Sequence, residues 1–361
     1  MDNRPGSPTA YPRIFSSVRA LPGNRFEQQT LADALWGEWG GSLQDRRRFE
    51  RFQRAVGVKN RYLALTIDEY RQLRSFAEAN ARWREVAIEL GKSAIESALS
   101  RAQLTPAEVD HLFFTTVTGI STPSIDVALS NSLGMRQDLK RSPLFGLGCV
   151  GGAAGMARAA DYLRAFPNHV ALLLSVELCS LTLQRGDQST ANIIASALFG
   201  DGSAAVILGG GARAERGGPA VIASESILFP NSEELMGWEI GEGGFKVVLS
   251  PGVPDLVRTR LRSGVDSFLD RYGLRVADVR HWIAHTGGPK VLEGIEAALE
   301  LPARALERSW RSLETTGNLS SASVLHVLAE LLESGEPRAG ERGVMIAMGP
   351  GFCAELLLLE W

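Results

Sequence analysis

Residues Ser142 to Val176 read SPLFGL, then GC, then VGGAAGMARAADYLRA, then FPN, then HVALLLSV. The spacing predicts a short strand over Ser142 to Leu147, a helix over Val150 to Ala165 and a buried strand over His169 to Val176. A strand that is apolar on both faces needs cover on both, and alternation with helices supplies it. Outward from this unit the rhythm continues. Asp45 to Arg54 (DRRRFERFQR) reads as a surface helix and Arg71 to Ala102 as a long amphipathic one. His111 to Thr118 reads as a strand, Ser124 to Leu133 and Ala191 to Phe199 as helices, and Ser203 to Gly209 as a strand. The second half repeats the pattern. Gly244 to Leu249 is expected as a strand, Pro254 to Tyr272 as a helix and His281 to His285 as a strand. Helices at Pro289 to Leu299 and Leu319 to Leu332 follow, then strands Gly343 to Met348 and Cys353 to Trp361. The fold class is α/β. The polar, Gly-rich stretch Ala212 to Pro219 divides it into halves 1–215 and 216–361, which share an order of elements without visible identity.

Composition narrows the function. The chain has 361 residues, 45% hydrophobic and 22% charged, enough for a large core. Its formal net charge of −3 offers no basic field for nucleic acid. Three cysteines (Cys149, Cys179, Cys353) are too few for a disulfide scaffold and point to a reducing compartment. Met1 to Phe15 holds no apolar signal region, and the longest apolar run, His169 to Leu183, is broken by Glu177, too short for a membrane span. A cytoplasmic protein without membrane insertion is expected.

The turn Gly146-Leu147-Gly148-Cys149-Val150-Gly151-Gly152 matches G-x-G-x-x-G, a dinucleotide fingerprint, which would make the chain an oxidoreductase. It lies deep in the chain and carries a cysteine, so Cys149 is the better focus. Unpaired amides at a helix N-terminus favour a thiolate nucleophile. A buried structural cysteine fits the same residues. Of five histidines, His285 stands at the C-terminal end of a strand before Thr286-Gly287-Gly288-Pro289, where open α/β sheets present ligand contacts. His111, His169, His281 and His326 read as structural. Asn318, just before an apolar helix, reads by itself as an N-cap. Only the combination is a signal: a cysteine, a histidine and an asparagine at turns facing one sheet edge.

These segments (LFGLGCVGGAAGMARAADYLR around Cys149, HTGGPK from His285, GNLSSASV around Asn318) resemble the Cys-His-Asn triad regions of type III polyketide synthases, the chalcone synthase-like branch of the thiolase superfamily. ALFGDGSAAVIL (Ala197 to Leu208) and AMGPGF (Ala347 to Phe352) match further signatures, and the resemblance runs from about Ile14 to Trp361. VTGISTPS, VELCSLTLQR, MGWEIGEGGFKVVLSP and MGPGFCAELLLLEW look most like bacterial enzymes that make long-chain alkylpyrones, and less like tetrahydroxynaphthalene synthases. The resemblance implies a layered αβαβα architecture of two similar halves. It implies that Cys149 carries an acyl group taken from an acyl-CoA starter, paired as thiolate with His285 as imidazolium. His285 and Asn318 would hold the thioester oxygen of malonyl-CoA during decarboxylation. Iterative condensation and ring closure would give an alkylpyrone or alkylresorcinol, with no metal or cofactor. Phe199 and Phe245 match entrance phenylalanines, and Thr118, Thr122, Thr182 and Ser320 match pocket positions. Thr122 falls where some members reach into a partner subunit, which implies a homodimer. Arg51 and Arg54 lie where CoA phosphates are held, in a region about three residues shorter than in plant members.

Alternatives are a type III enzyme with a tetrahydroxynaphthalene- or phloroglucinol-type product, and a ketoacyl synthase III-like enzyme. The latter family carries His-Gln-Ala-Asn where His285-Thr286-Gly287-Gly288 stands here. A catalytically silent acyl-CoA-binding protein is the non-enzyme reading.

Overall fold

The computed structural model describes residues 10–40 and 45–361. Residues 1–9 of the stretch read for targeting signals lie outside the described residues. The strands are β1 (Arg13–Ala20), β2 (Asn24–Glu27), β3 (Asn60–Leu63), β4 (His111–Thr115), β5 (Lys140–Leu144), β6 (Val170–Leu178) and β7 (Asp201–Gly209). After them come β8 (Ala220–Leu228), β9 (Met236–Gly241), β10 (Gly244–Leu249), β11 (His281–Ala284), β12 (Arg342–Gly349) and β13 (Cys353–Glu360). Nine of them form one sheet in the order β11-β12-β13-β8-β1-β7-β6-β4-β5. Its two ends repeat one pattern. β4 runs parallel to β6, which pairs antiparallel with β7 and then β1. Likewise β11 runs parallel to β12, which pairs antiparallel with β13 and then β8. The halves meet at β1 and β8 through the single register pair Arg13↔Ala220.

Side-chain alternation explains the layering. On β6, Leu172 and Leu174 pack against helix Phe76–Ala102, while Leu173 faces inward with Met156 and Leu325. On β12, Ile346 and Met348 face an outer cluster with Val257 and Leu292, while Met345 and Ala347 face the same inner cluster. Helices Gly151–Ala165 and Ser323–Ser334 are therefore enclosed between the half-sheets, and the expected αβαβα stack is what forms.

Several boundaries differ from the sequence reading. The helix expected over Arg71 to Ala102 is two helices, Ile67–Gln72 and Phe76–Ala102, because Ser75 caps the second by accepting from Glu78 N. The helix expected from Leu319 begins with a 3-10 turn, Ser320–Ala322, before Ser323–Ser334. β5 starts two residues earlier than expected and is the half-exposed sheet edge, where Pro143 costs no ladder bond. β1, β2, β3, β8 and β9 and helices Gln28–Trp39 and Glu307–Thr316 were outside the sequence reading.

Two glycines set the spacing at the centre. Gly148 adopts φ +56, and a Cβ there would lie 2.4 Å from Pro350 Cδ. A Cβ on Gly152 would lie 2.2 Å from the Ser321 carbonyl oxygen, so the helix that follows Cys149 touches the turn that follows Asn318 directly. Gly152→Ala is expected to destabilise the fold by ~1–3 kcal/mol, as overpacking does, with a matching drop in the urea midpoint. An unchanged midpoint would contradict this close contact.

Candidate active site

Cys149 sits in the turn Gly148–Val150 after β5, at the N-terminus of helix Gly151–Ala165, and is 7% exposed. Its Sγ lies 3.7 Å from Ser320 Oγ, and no hydrogen bond to His285 forms among the described residues. Burial pushes the thiol up to about 12, against a smaller downward pull from Ser320. His285 follows β11 directly, and its backbone N–H donates to Ile346 O at 2.8 Å. Its ring is buried, with Nδ1 unpartnered, and burial alone pushes it down to about 3. Burial thus favours the neutral form of both groups. The thiolate–imidazolium pair that the resemblance implies would need the two groups in contact, and no hydrogen bond joins them among the described residues.

The other four histidines are bonded: His111 to Ser142, His169 to Tyr162, His281 to Glu341 and His326 to the Ser203 carbonyl. His285 makes no side-chain hydrogen bond to a described residue, which separates it from structural histidines.

Asn318 Oδ1 accepts from Ser320 N at 2.8 Å and from Ser323 Oγ at 3.4 Å. A backbone N–H on Oδ1 fixes the amide's orientation. Nδ2 makes no hydrogen bond to a described residue, so it is a free donor. Asn318 thus braces its own turn rather than capping helix Ser323–Ser334, whose N-cap position is Ala322. Ser323 Oγ also accepts from Thr286 Oγ1 at 2.9 Å, which links the asparagine turn to the residue after His285.

Two cavities divide the three residues. One of about 420 Å³ is lined by Cys149, Val117, Cys179, Trp238, Ser320 and Pro350. The other, about 330 Å³, is lined by His285, Asn318, Leu198 and Phe352. Phe199, Met236 and Leu249 border both. A third space of about 820 Å³ adjoins the cysteine chamber across Cys179, Phe199, Trp238 and Val247.

The remaining expected positions are scattered. Phe245 is 1% exposed, edge-on to Phe76 at 5.5 Å, and borders a different cavity with Thr182. Trp238, 5.9 Å from it, lines the cysteine chamber together with Phe199. Thr118 is buried with its hydroxyl committed, donating to Glu177 Oε2 and accepting from Leu178 N. Thr182 borders the 820 Å³ space, and Thr122 is exposed. Arg51 and Arg54 are exposed on helix Arg46–Ala55. Arg54 borders a groove with Arg25 and Lys59, and its Nη1 lies 3.7 Å from Glu50.

The sequence reading used Glu177 only as a break in an apolar run. It is fully buried and accepts from Val117 N, Thr116, Thr118 and Ser321, and burial pushes its carboxyl up to about 7. A lone carboxylate inside an otherwise apolar strand was the available signal. Met236 and Trp238 gave none, because their hairpin alternates with glycine and glutamate.

Among the described residues no helix is long and apolar enough to cross a membrane. Residues 11–212 match the N-terminal domain of chalcone and stilbene synthases, and residues 220–360 match the C-terminal domain. A 1,3,6,8-tetrahydroxynaphthalene synthase of Streptomyces peucetius subsp. caesius is 50% identical over 344 residues, 95% of this chain and 91% of that one. A putative chalcone synthase of Bacillus subtilis (strain 168) is 36% identical over 359 residues, 96% of this chain and 98% of that one. The crystal structure of the 1,3,6,8-tetrahydroxynaphthalene synthase of Streptomyces coelicolor A3(2), described as a bacterial type III polyketide synthase, superposes with a TM-score of 0.91. It is 26% identical and covers 97% of this chain and 99% of that one. With both domains matched end to end on the expected layered fold, the chain belongs to the chalcone and stilbene synthase family and is a type III polyketide synthase, an acyltransferase.

Proposed function

We propose that Cys149, His285 and Asn318 carry out iterative decarboxylative condensation of malonyl-CoA onto a long-chain acyl starter, ending in an alkylpyrone or alkylresorcinol. The observation that carries the catalytic assignment is the pair of unpaired groups, the Asn318 Nδ2 donor and the His285 ring, on one cavity beside the cysteine chamber. In loading, Cys149 gives its proton to His285 and attacks the acyl-CoA carbonyl. The C–S bond to CoA breaks, and CoA leaves as a thiol with that proton. In extension, the malonyl C–CO2 bond breaks, CO2 departs, and the electron pair becomes an enolate held by Asn318 and His285. The enolate carbon attacks the Cys149 thioester, the acyl–sulfur bond breaks, and a β-ketoacyl-CoA two carbons longer forms. Apolar walls from Leu198, Met236, Val291 and Phe352 around His285 and Asn318 make such oxyanion donors count for more than they would in water.

The long-chain starter is supported by the 820 Å³ space beyond Cys179 and Trp238, walled by Leu31, Ala34, Leu35, Leu63 and Leu183. A second reading, a tetrahydroxynaphthalene-type product, has as its support the name of the 50% identical relative. Phe199, which borders all three spaces, and Phe245, which backs Trp238, are the proposed entrance, with Thr118, Thr122, Thr182 and Ser320 as the proposed pocket positions. We assign CoA phosphates to Arg51 and Arg54, a cytoplasmic location to a chain with three free cysteines, and a homodimer whose interface includes the exposed Thr122.

Asn318→Ala should keep starter loading on Cys149, while malonyl-CoA decarboxylation falls ~10²–10³-fold. Asn318→Asp keeps the Oδ1 brace but loses the amide donor and should behave like the Ala variant. An Asp variant that decarboxylates as wild type does would reduce Asn318 to a structural brace. Proton transfer to His285 also has a pH signature. Burial and the charge of Glu177 raise the thiol and the Ser320 hydrogen bond lowers it, so the share that His285 contributes is read by removing its ring. Iodoacetamide inactivation should therefore have a lower midpoint pH in wild type than in His285→Ala. Superimposable profiles would remove His285 as the proton acceptor.

A further inference from the structure

Arg61 on β3 belongs to none of the turns that carry the three reacting residues, yet it is 3% exposed. Its Nη1 donates to the Ser196 carbonyl at 2.5 Å and to the Phe199 carbonyl at 2.9 Å, and Nε donates to Gln28 Oε1 at 2.9 Å. Ser196 lies in the last turn of helix Thr190–Leu198, whose final carbonyls lack partners within the helix. A cation there is favoured by the helix dipole. Phe199 stands opposite Asn318 in a parallel bridge held by its two neighbours: Asn318 N donates to Leu198 O at 2.9 Å, and Gly200 N donates to Asn318 O at 3.0 Å. The guanidinium stem also reaches the other side of this bridge. A Cβ on Gly317 would lie 3.3 Å from Arg61 Cγ and 2.6 Å from the Leu198 carbonyl oxygen.

A buried guanidinium is costly unless its charge is answered. Asp201, two residues after Phe199, is fully buried, accepts from Ala64 N at 2.7 Å and Ser180 N at 2.8 Å, and supports the Arg61 charge electrostatically. The arrangement therefore uses a buried charge to fix two backbone carbonyls, one of which belongs to the residue paired with Asn318. A purely apolar contact would hold this region with less demand on geometry.

We propose that Arg61 is a positioning residue for decarboxylation: by fixing the Phe199 carbonyl it sets, through the Phe199–Asn318 bridge, where Asn318 Nδ2 meets the malonyl thioester oxygen. This rests on the reading of Asn318 as the oxyanion donor. Two divergent carbonyls and a glutamine oxygen require the planar fork of arginine, which a single ammonium cannot reproduce.

The test uses the full chain as Arg61→Lys, Asn318→Ala and the double variant, with Arg61→Met as the severe case and circular dichroism on each. CoA release on mixing with an acyl-CoA starter measures loading, and CO2 release from malonyl-CoA measures decarboxylation. Because Arg61 also borders the 820 Å³ space proposed for the starter chain, loading is read with a short-chain acyl-CoA that does not fill it. With that starter Arg61→Lys should load as wild type does, while kcat for decarboxylation falls ~10–10²-fold at unchanged KM, the scale of an ångström-level misplacement. Arg61→Met should fall further in decarboxylation. In the Asn318→Ala background, Arg61→Lys should add less than ~2-fold, because two residues acting through one contact are not additive. Effects that multiply, decarboxylation unchanged in Arg61→Lys, or loading and decarboxylation falling together would overturn the role of Arg61 alone. An Asn318→Ala variant that decarboxylates normally would overturn the proposed function as well, which keeps the two failures apart.

Discussion

The contact on which the site depends is between two backbones: the start of helix Gly151–Ala165 against the turn that leads into helix Ser323–Ser334. Only a residue without a side chain permits it at Gly152, since the Ser321 carbonyl occupies the space a Cβ would take. Both helices run between the half-sheets, and their N-termini carry Cys149 on one side and Asn318 and Ser320 on the other. His285 joins them because β11 pairs with β12, and the loop after β12 places Pro350 against Gly148. Three residues far apart in sequence thus converge because two equivalent half-folds meet at their centre.

That location has an electrostatic consequence. Desolvation raises the Cys149 thiol and lowers the His285 ring, so burial opposes charge on both. A site arranged this way offers little to a bound ground state and more to a developing oxyanion, which finds a free amide donor ready in place. Glu177, with its carboxyl pushed up to about 7, is the ionisable neighbour whose negative charge would oppose a thiolate at Cys149. Its bonds to Ser321, Thr116, Thr118 and Val117 N keep it tied to the scaffold.

Much of the architecture was legible because β6, β7 and β12 are apolar on both faces, and such strands admit little besides a doubly covered sheet. β1 was not, because its inward serines look like loop. Ser16 and Ser17 are satisfied by the carbonyls of Ala98 and Leu325, partners more than 80 residues away. Cys149 and His285 were legible as turns after strands and Asn318 as a turn before an apolar helix, and the family resemblance named which turns belong together. The chamber walls were harder to read. Hairpin β9–β10 carries Glu239, Glu242 and Lys246 and reads as a solvated strand pair, yet it lays Met236, Trp238 and Val247 over the cysteine. The entrance position Phe245 stands edge-on to Phe76, and Trp238 beside it reaches the chamber that Phe199 also lines. Arg61 carried no local signal at all, since its role arises only from the bridge between Phe199 and Asn318.

The most direct test of the central claim, that Cys149 holds the growing chain, is intact-protein and peptide mass spectrometry after brief incubation with a long-chain acyl-CoA and no malonyl-CoA. One acyl group per chain is expected, located on the peptide that contains Cys149, and absent from Cys149→Ala under the same conditions. Acylation mapped to Cys179 or Cys353, or persisting in Cys149→Ala, would contradict the account.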